Sequence, residues 1–226
     1  MISNILSIIL YGSQARKDCD DLSDTDICIF VEKRPFKEDN IDELKVLVPH
    51  IKIDRANITV YPNDVVDLMA SNGSLFLWHL KFEGVVLFGE SYFQSKIKNL
   101  RKFINHADEL SYHSEIYNDL LASWKKIRII NELDLSILFT ITRNTCMVLS
   151  HFGGKPVFGR TSCFLIAKEL FPELPFNIDD YKYLAKWKII YERDACLNCA
   201  LPKVKYYEKL IMHVEETLSY AKIAIS

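Results

Sequence analysis

At 226 residues, with 49% apolar and 26% charged residues, the chain is long enough to bury a core and reads as one large or two small globular domains. A formal charge of −2 excludes a global basic field, so a nucleic-acid partner is less favoured than a small molecule or a protein. No apolar run approaches a membrane span, the N-terminus lacks the charged lead-in of a signal peptide, and six irregularly spaced cysteines suit a reduced set, so a cytoplasmic chain with no membrane partner is expected.

Residues 5–11 are a short apolar run closed by Gly12, which predicts a buried strand. Gly12 permits a tight turn and the close approach of a ligand. Ser13 is expected to cap a helix whose first N–H groups suit a phosphate. Asp24 and Asp26 then lead into Ile27-Cys28-Ile29-Phe30-Val31, a second expected strand, whose period of two puts both carboxylates on one side. Like charges side by side are costly without a cation between them. Mg²⁺ is the natural occupant, because it takes oxygen ligands, keeps waters and bridges carboxylates to substrate phosphates.

Gly12-Ser13-x-Ala15-Arg16 followed by Ser23-Asp24-x-Asp26-Ile27, in the order strand, Gly-Ser turn, second strand, resembles the signature of the polymerase-β-like nucleotidyltransferase superfamily. The resemblance implies an α+β fold: a small mixed-sheet nucleotidyltransferase domain followed by an all-α helical bundle. It further implies a nucleoside triphosphate, ATP first, with its β- and γ-phosphates on the Gly12–Ser13 turn and Mg²⁺ or Mn²⁺ held by Asp24 and Asp26. An acceptor hydroxyl would attack the α-phosphoryl group and expel pyrophosphate. Arg16, one turn into the helix, either touches the triphosphate or holds a salt bridge.

Residues 33–40 read as a polar connector and 42–47 as a helix ending near Pro49. The next expected strand, 51–61, is stopped by Pro62. Ile51, Ile53, Arg55, Asn57, Thr59 and Tyr61 lie on one of its sides, and Lys52, Asp54, Ala56, Ile58 and Val60 on the other. In the resembling superfamily a third carboxylate on this strand completes the metal site and acts as base. Counted from the Pro62-Asn63-Asp64 turn, the matching residue is Asn57, which lends a carbonyl oxygen but brings no charge and takes no proton at neutral pH. Asp54 is the alternative third ligand, and it needs a bulge to reach the same face. The Asn57 departure motivates a rival reading, a degenerate nucleotide-binding protein; an interaction module and an RNA-end nucleotidyltransferase are the others.

Asn63 or Asp64 is expected to cap one helix and Ser74 a second, over 75–83, ended by Gly84. Trp78 and His79 read as a core aromatic and a packed or solvent-facing histidine rather than a base-stacking platform. Residues 85–88 read as an edge strand. Glu83-Gly84-Val85-Val86-Leu87-Phe88-Gly89 resembles the passage that closes such catalytic domains, which sets the expected domains at 1–89 and 90–226.

Beyond Gly89 the pattern becomes helical, with helices expected over 90–124, 135–152, 162–170, 179–196 and 202–223 joined as a bundle. This layout resembles enzymes that adenylylate antibiotics, and the same core also modifies protein side chains. The Gly-rich connector 153–160 carries Lys155 and Arg160 but reads as an ordinary loop. Arg143 and His151 lack the spacing of an Arg/His ribonuclease motif. Glu132, Asp134, Glu192 and Asp194 are acceptor-side base candidates among which nothing selects. Cys196 and Cys199 are the one close cysteine pair, a zinc half-site without an evident partner and so read as incidental. The first expected strand starts almost at residue 1, without the helix often found before it, and the edge so left suggests a homo-oligomer.

Overall fold

In the computed structural model the described residues are 4–19, 23–33, 38–51, 53, 56–193 and 199–226, and the chain divides into two compact units, Met1–Ile104 and Asn105–Ser226. The first unit runs β1 (Ile5–Tyr11), α1 (Gly12–Arg16), β2 (Thr25–Val31), α2 (Glu38–Leu47), β3 (Ala56–Pro62), α3 (Asn63–Ser71), α4 (Leu75–Glu83), β4 (Val85–Phe88) and α5 (Glu90–Lys98). Its strands make one mixed sheet in the order β3-β2-β1-β4. β1 is antiparallel to β2 and to β4, whereas β2 and β3 are parallel, with α2 in the crossover between them. β4 therefore lies along the side of β1 away from β2.

The central strands are apolar at consecutive positions because both sheet faces are covered. On one face, Ile8, Ile27, Ile29 and Val31 pack with Leu44 of α2 and with Val48. On the other, Ile9, Cys28 and Phe30 pack with Val66 and Ala70 of α3, Leu77 and Leu80 of α4, and Phe93 and Ile97 of α5. The helix that follows Gly89 thus belongs to the sheet's core, and the first unit extends to Ile104. Gly89 has φ of +73°, and a Cβ there would collide with the Leu6 carbonyl oxygen. Only glycine lets β4 pass into α5 so close to β1.

β3 begins later than the expected strand. Ile51 and Ile53 lie in a turn, with the Ile51 N–H donating to the Val48 carbonyl and the Ile53 N–H to the Ile51 carbonyl, each at 3.0 Å. From that turn both isoleucines reach the α2 face, beside Ala56, Ile58 and Val60, instead of sharing a side with Asn57. The alternation read from the sequence holds only once the ladder starts at Ala56. Asp54 lies outside the described residues. Pro62, rather than Asn63 or Asp64, stands at the cap of α3, while Ser74 does occupy that position at α4.

The second unit is all-α: α6 (His106–Ile127), α7 (Glu132–Phe152), α8 (Ser162–Leu170), α9 (Ile178–Arg193) and α10 (Val204–Ala224). α7 is central, packing against α6, α8, α9 and α10 and burying residues around much of its circumference. It starts three residues before the expected 135, because Asn131 caps it by accepting a 2.8 Å bond from the Asp134 N–H. Tyr181 of α9 stacks on Phe164 of α8 at 4.5 Å and contacts Phe139 of α7 at 5.4 Å. Trp124 of α6 meets Tyr207 of α10 at 4.8 Å. Asp180, 4% exposed, accepts from Asn177, Tyr206 and Lys209, lies 3.1 Å from His213 Nδ1, and pins the start of α9 to α10. Among the described residues no helix is long and apolar enough to cross a membrane.

Candidate active site

The site forms where β1 ends beside β2 and β3. Tyr11 and Asp26 are register partners, and so are Asp26 and Asn57, so one row of the sheet carries Tyr11, Asp26 and Asn57 on the same face. Asp24 stands just before β2, two residues from Asp26. The Asn57 amide nitrogen donates to Asp24 Oδ2 at 2.5 Å and approaches Asp26 Oδ1 at 3.4 Å. The two carboxylates are half-buried and Asn57 is exposed. The structure thus brings the side chains of Asp24, Asp26 and Asn57 together.

Gly12 follows Tyr11 with φ of +71°, and a Cβ on it would collide with Asp26 Oδ2. The backbone of the Gly12–Ser13 turn thus lies directly against the second carboxylate, an approach that any side chain at position 12 would block. Ser13 is not the cap of α1: Tyr11 holds that position and makes no side-chain capping bond. Ser13 is instead the second residue of this one-turn helix, and its carbonyl accepts from the Asp18 N–H at 3.1 Å, while Lys17 closes the turn at φ of +62°.

Arg16 donates through Nε to Asp18 at 3.1 Å and through Nη1 to Glu83 at the end of α4 at 2.8 Å. Burial works against its charge, but the hydrogen bonds to Asp18 and Glu83 outweigh it and raise its pKa above the ordinary arginine value. The same Glu83 oxygen stands 3.2 Å from His79 Nε2. Of the two roles open for Arg16, the salt bridge is the one seen. Glu83 was legible only as the first residue of the passage that closes the domain; the i,i+4 spacing of His79 and Glu83 on one helix is the local signal for it.

Beneath the carboxylates lies an aromatic floor. The Tyr11 hydroxyl shares a 3.3 Å hydrogen bond with Thr59 of β3, and its ring meets Phe76 edge-on at 5.4 Å and His79 at 5.6 Å. Burial raises the Tyr11 pKa to about 12, Thr59 opposes that, and the Asp26 charge adds to it, so the phenol stays protonated at neutral pH. Of the two settings open for His79 the structure shows the buried one, while Trp78 is half-buried rather than in the core, its indole N–H donating to the Arg101 carbonyl at 3.1 Å.

The donor chemistry suits a hard divalent cation. Asp24 Oδ2 and Asp26 Oδ1 both face the Asn57 NH₂ group, whose hydrogens are positively polarised, and the same amide has an oxygen to offer. Among the described residues no group of three or more His, Cys, Asp or Glu side chains is placed to hold a metal. The described set is thus two carboxylates and an amide, the kind of partial shell that Mg²⁺ completes with waters and phosphate oxygens.

The remaining candidates behave as structural residues or fall outside the description. Lys155 pairs with Glu169 at 2.6 Å, and the Arg160 carbonyl accepts from the Tyr181 hydroxyl. Asp134 accepts from the Asn131 amide at 3.0 Å, and Glu192 pairs with Lys188 at 2.7 Å. Asp194 and Cys196 lie outside the described residues, and Cys199 is a half-buried free thiol.

Residues 2–93 match the family model described as Polymerase beta, Nucleotidyltransferase. The match covers β1 to β4 and the start of α5, and so contains every residue of the carboxylate cluster and of the glycine turn. No curated protein matches the chain.

Proposed function

We propose, from the premise that residues 2–93 are a polymerase-β-like nucleotidyltransferase domain, that this chain moves a nucleoside monophosphate from a nucleoside triphosphate, ATP first, to a hydroxyl of a small molecule or protein, with release of pyrophosphate. The observation that carries the reading is the convergence of Asp24 Oδ2 and Asp26 Oδ1 on one point, with the Gly12 backbone pressed against Asp26. Asp24, Asp26 and the Asn57 carbonyl oxygen are the residues to hold Mg²⁺ or Mn²⁺. When bound, that cation neutralises charge developing on the reacting phosphoryl group.

The chain's own residues divide the rest of the work. The Gly12–Ser13 turn receives the β- and γ-phosphates on backbone N–H groups, and the missing side chain at position 12 keeps phosphate and carboxylate within reach of each other. Arg16, through Glu83, holds α1 in place rather than reaching for phosphate. Tyr11 and Thr59 form a floor that neither donates a charge nor takes a proton. Asn57 takes no proton from the acceptor hydroxyl either, so that proton passes to solvent.

The amide at the third position favours one second reading, a domain that binds nucleotide without turnover. Incubation of the purified chain with each α-labelled nucleoside triphosphate and Mg²⁺ or Mn²⁺, beside Asp24→Ala/Asp26→Ala, separates the two. Label entering a protein, RNA or small-molecule fraction from cell extract, and lost in the double variant, is the expected result and names the acceptor class. Nucleotide binding with no label transfer would leave the second reading in its place.

A further inference from the structure

The end of the second unit where α6 passes into α7 carries apolar side chains that the helices do not bury. α6 closes at Arg128, whose φ of +56° turns the chain and whose N–H donates to the Trp124 carbonyl at 2.9 Å, and Asn131 caps α7. The connector between them is therefore short and held at both ends. The first turn of α10 lies beside it, since Arg128 pairs with Glu208 at 3.0 Å and Trp124 meets Tyr207 at 4.8 Å. Those contacts bring residues 125–134 and 201–208 to one end of the unit. There Ile127, Ile129, Leu133, Leu201 and Val204 are between 42% and 65% exposed. A single exposed isoleucine is ordinary, whereas five large aliphatic side chains gathered at one end mark a contact surface.

The charges on the same two stretches decide what that surface meets. Lys125, Lys126, Arg128, Lys203 and Lys205 are all exposed, and they outnumber Glu132, Asp134 and Glu208 in a chain whose formal charge is −2. Cations and aliphatic residues alternate, as Lys126-Ile127-Arg128-Ile129 and again as Lys203-Val204-Lys205. Lysine is depleted at protein–protein interfaces, and every one of these cations except Arg128 is a lysine. Single-stranded nucleic acid stacks its bases on aromatic rings, whereas the exposed apolar groups here are aliphatic. A bilayer with anionic headgroups suits both parts. Aliphatic tips enter the boundary between headgroups and acyl chains, and the lysines beside them reach the headgroup charges.

We propose that this end of the second unit docks the chain on an anionic lipid surface, with Ile127, Ile129 and Val204 seated at the acyl boundary and Lys125, Lys126, Lys203 and Lys205 on the headgroups. The contact lies in the plane of the interface and spans nothing. It uses no residue of the candidate active site, so it stands or falls apart from the proposed transfer reaction. Each lysine held at an anionic surface is worth about fivefold in affinity. That share weakens with salt, because the screening length falls from about 10 Å at 0.1 M to about 3 Å at 1 M. The aliphatic share does not.

Co-sedimentation of the full-length chain with vesicles tests the surface. One set of vesicles is phosphatidylcholine alone and the other an equimolar mixture of phosphatidylcholine and phosphatidylserine. The wild-type chain is expected to bind the mixed vesicles at least about tenfold more tightly than the neutral ones. Ile127→Ser/Ile129→Ser and Lys203→Gln/Lys205→Gln should each weaken that binding by about tenfold or more. Only the lysine variant should also lose part of the salt dependence. Lys222→Gln/Ile223→Ser, at the other end of α10, changes the same residue types on an exposed stretch and should bind as wild type does. All these positions are exposed, and thermal unfolding verifies that each variant folds. No binding to the mixed vesicles overturns the proposal, as does equal binding to both sets or equal loss in the Lys222/Ile223 variant. Self-association or RNA binding that the Ile127/Ile129 variant abolishes, without vesicle binding, overturns it as well and assigns the surface to a second copy or to nucleic acid.

Discussion

Arg16 and Glu83, 67 positions apart in the chain, meet in a 2.8 Å ion pair between the one-turn helix after the glycine and the last residue of α4. Their side chains are 18% and 12% exposed, so the pair is shielded from solvent far more than a surface bridge. Glu83 also lies within 3.2 Å of His79, whose ring leans on Tyr11, the residue immediately before Gly12. One carboxylate on α4 therefore braces the turn from both sides.

If Arg16 braces α1 and does not grip phosphate, Arg16→Ala and Glu83→Gln weaken the same thing. Each is expected to lower stability by about 1.5–3 kcal/mol, the range for a hydrogen bond to a charged group. The double variant Arg16→Ala/Glu83→Gln should lose little more than the worse single one, because both remove one interaction. Chemical denaturation of the four proteins checks the coupling. Nucleotide affinity supplies the contrast: the two single variants should weaken it alike, whereas a phosphate-gripping arginine would make Arg16→Ala far worse than Glu83→Gln.

Gly12→Ala is expected to destabilise the chain by about 1–2 kcal/mol from left-handed backbone strain alone, and by more because the new methyl meets Asp26 Oδ2. The steric part disappears when the carboxylate is shortened. Gly12→Ala should therefore cost less in an Asp26→Ala background than in wild type, and a pair of denaturation curves measures the difference. Equal costs in the two backgrounds would separate Gly12 from Asp26.

His113, 5% exposed in α6, has its pKa lowered by burial to about 4. The sign follows from proton uptake. Below its unfolded value of about 6.5 the unfolded chain takes a proton that the folded chain refuses, so stability falls as pH drops from there toward 4. Between pH 6.5 and pH 5 the expected loss is about 1.6 kcal/mol, the slope rising toward about 1.4 kcal/mol per pH unit as the unfolded histidine becomes protonated. His113→Gln, which carries no titrating group, should flatten that slope. Urea denaturation at a series of pH values reads it directly.

Much of the site was legible because it is local. The apolar run into Gly12, the Asp24-x-Asp26 spacing and the end of β3 at Pro62 are all short-range features, and they sufficed to place Asn57 opposite Asp26. The beginning of β3 was not legible, because Ile51 and Ile53 mimic an alternating strand while packing from a turn. Nor was Glu83 as the partner of Arg16. A pair separated by α2, α3 and two strands leaves no periodic trace in the sequence, and only the packing of α4 on β1 brings it together. The attachment of α5 to the sheet was hidden for a related reason. Phe93 and Ile97 have the same helical spacing whether they face a bundle or a sheet.

The filling of both sheet faces also bears on how this chain tolerates change. Ile27, Cys28, Ile29, Phe30 and Val31 are all fully buried, while Asp24 and Asp26 sit at the solvent-facing start of the same strand. The register of β2 is thus set by its buried half, and the candidate site sits at its open end. Substitutions at 24, 26 or 57 lie outside that buried half and leave its packing in place.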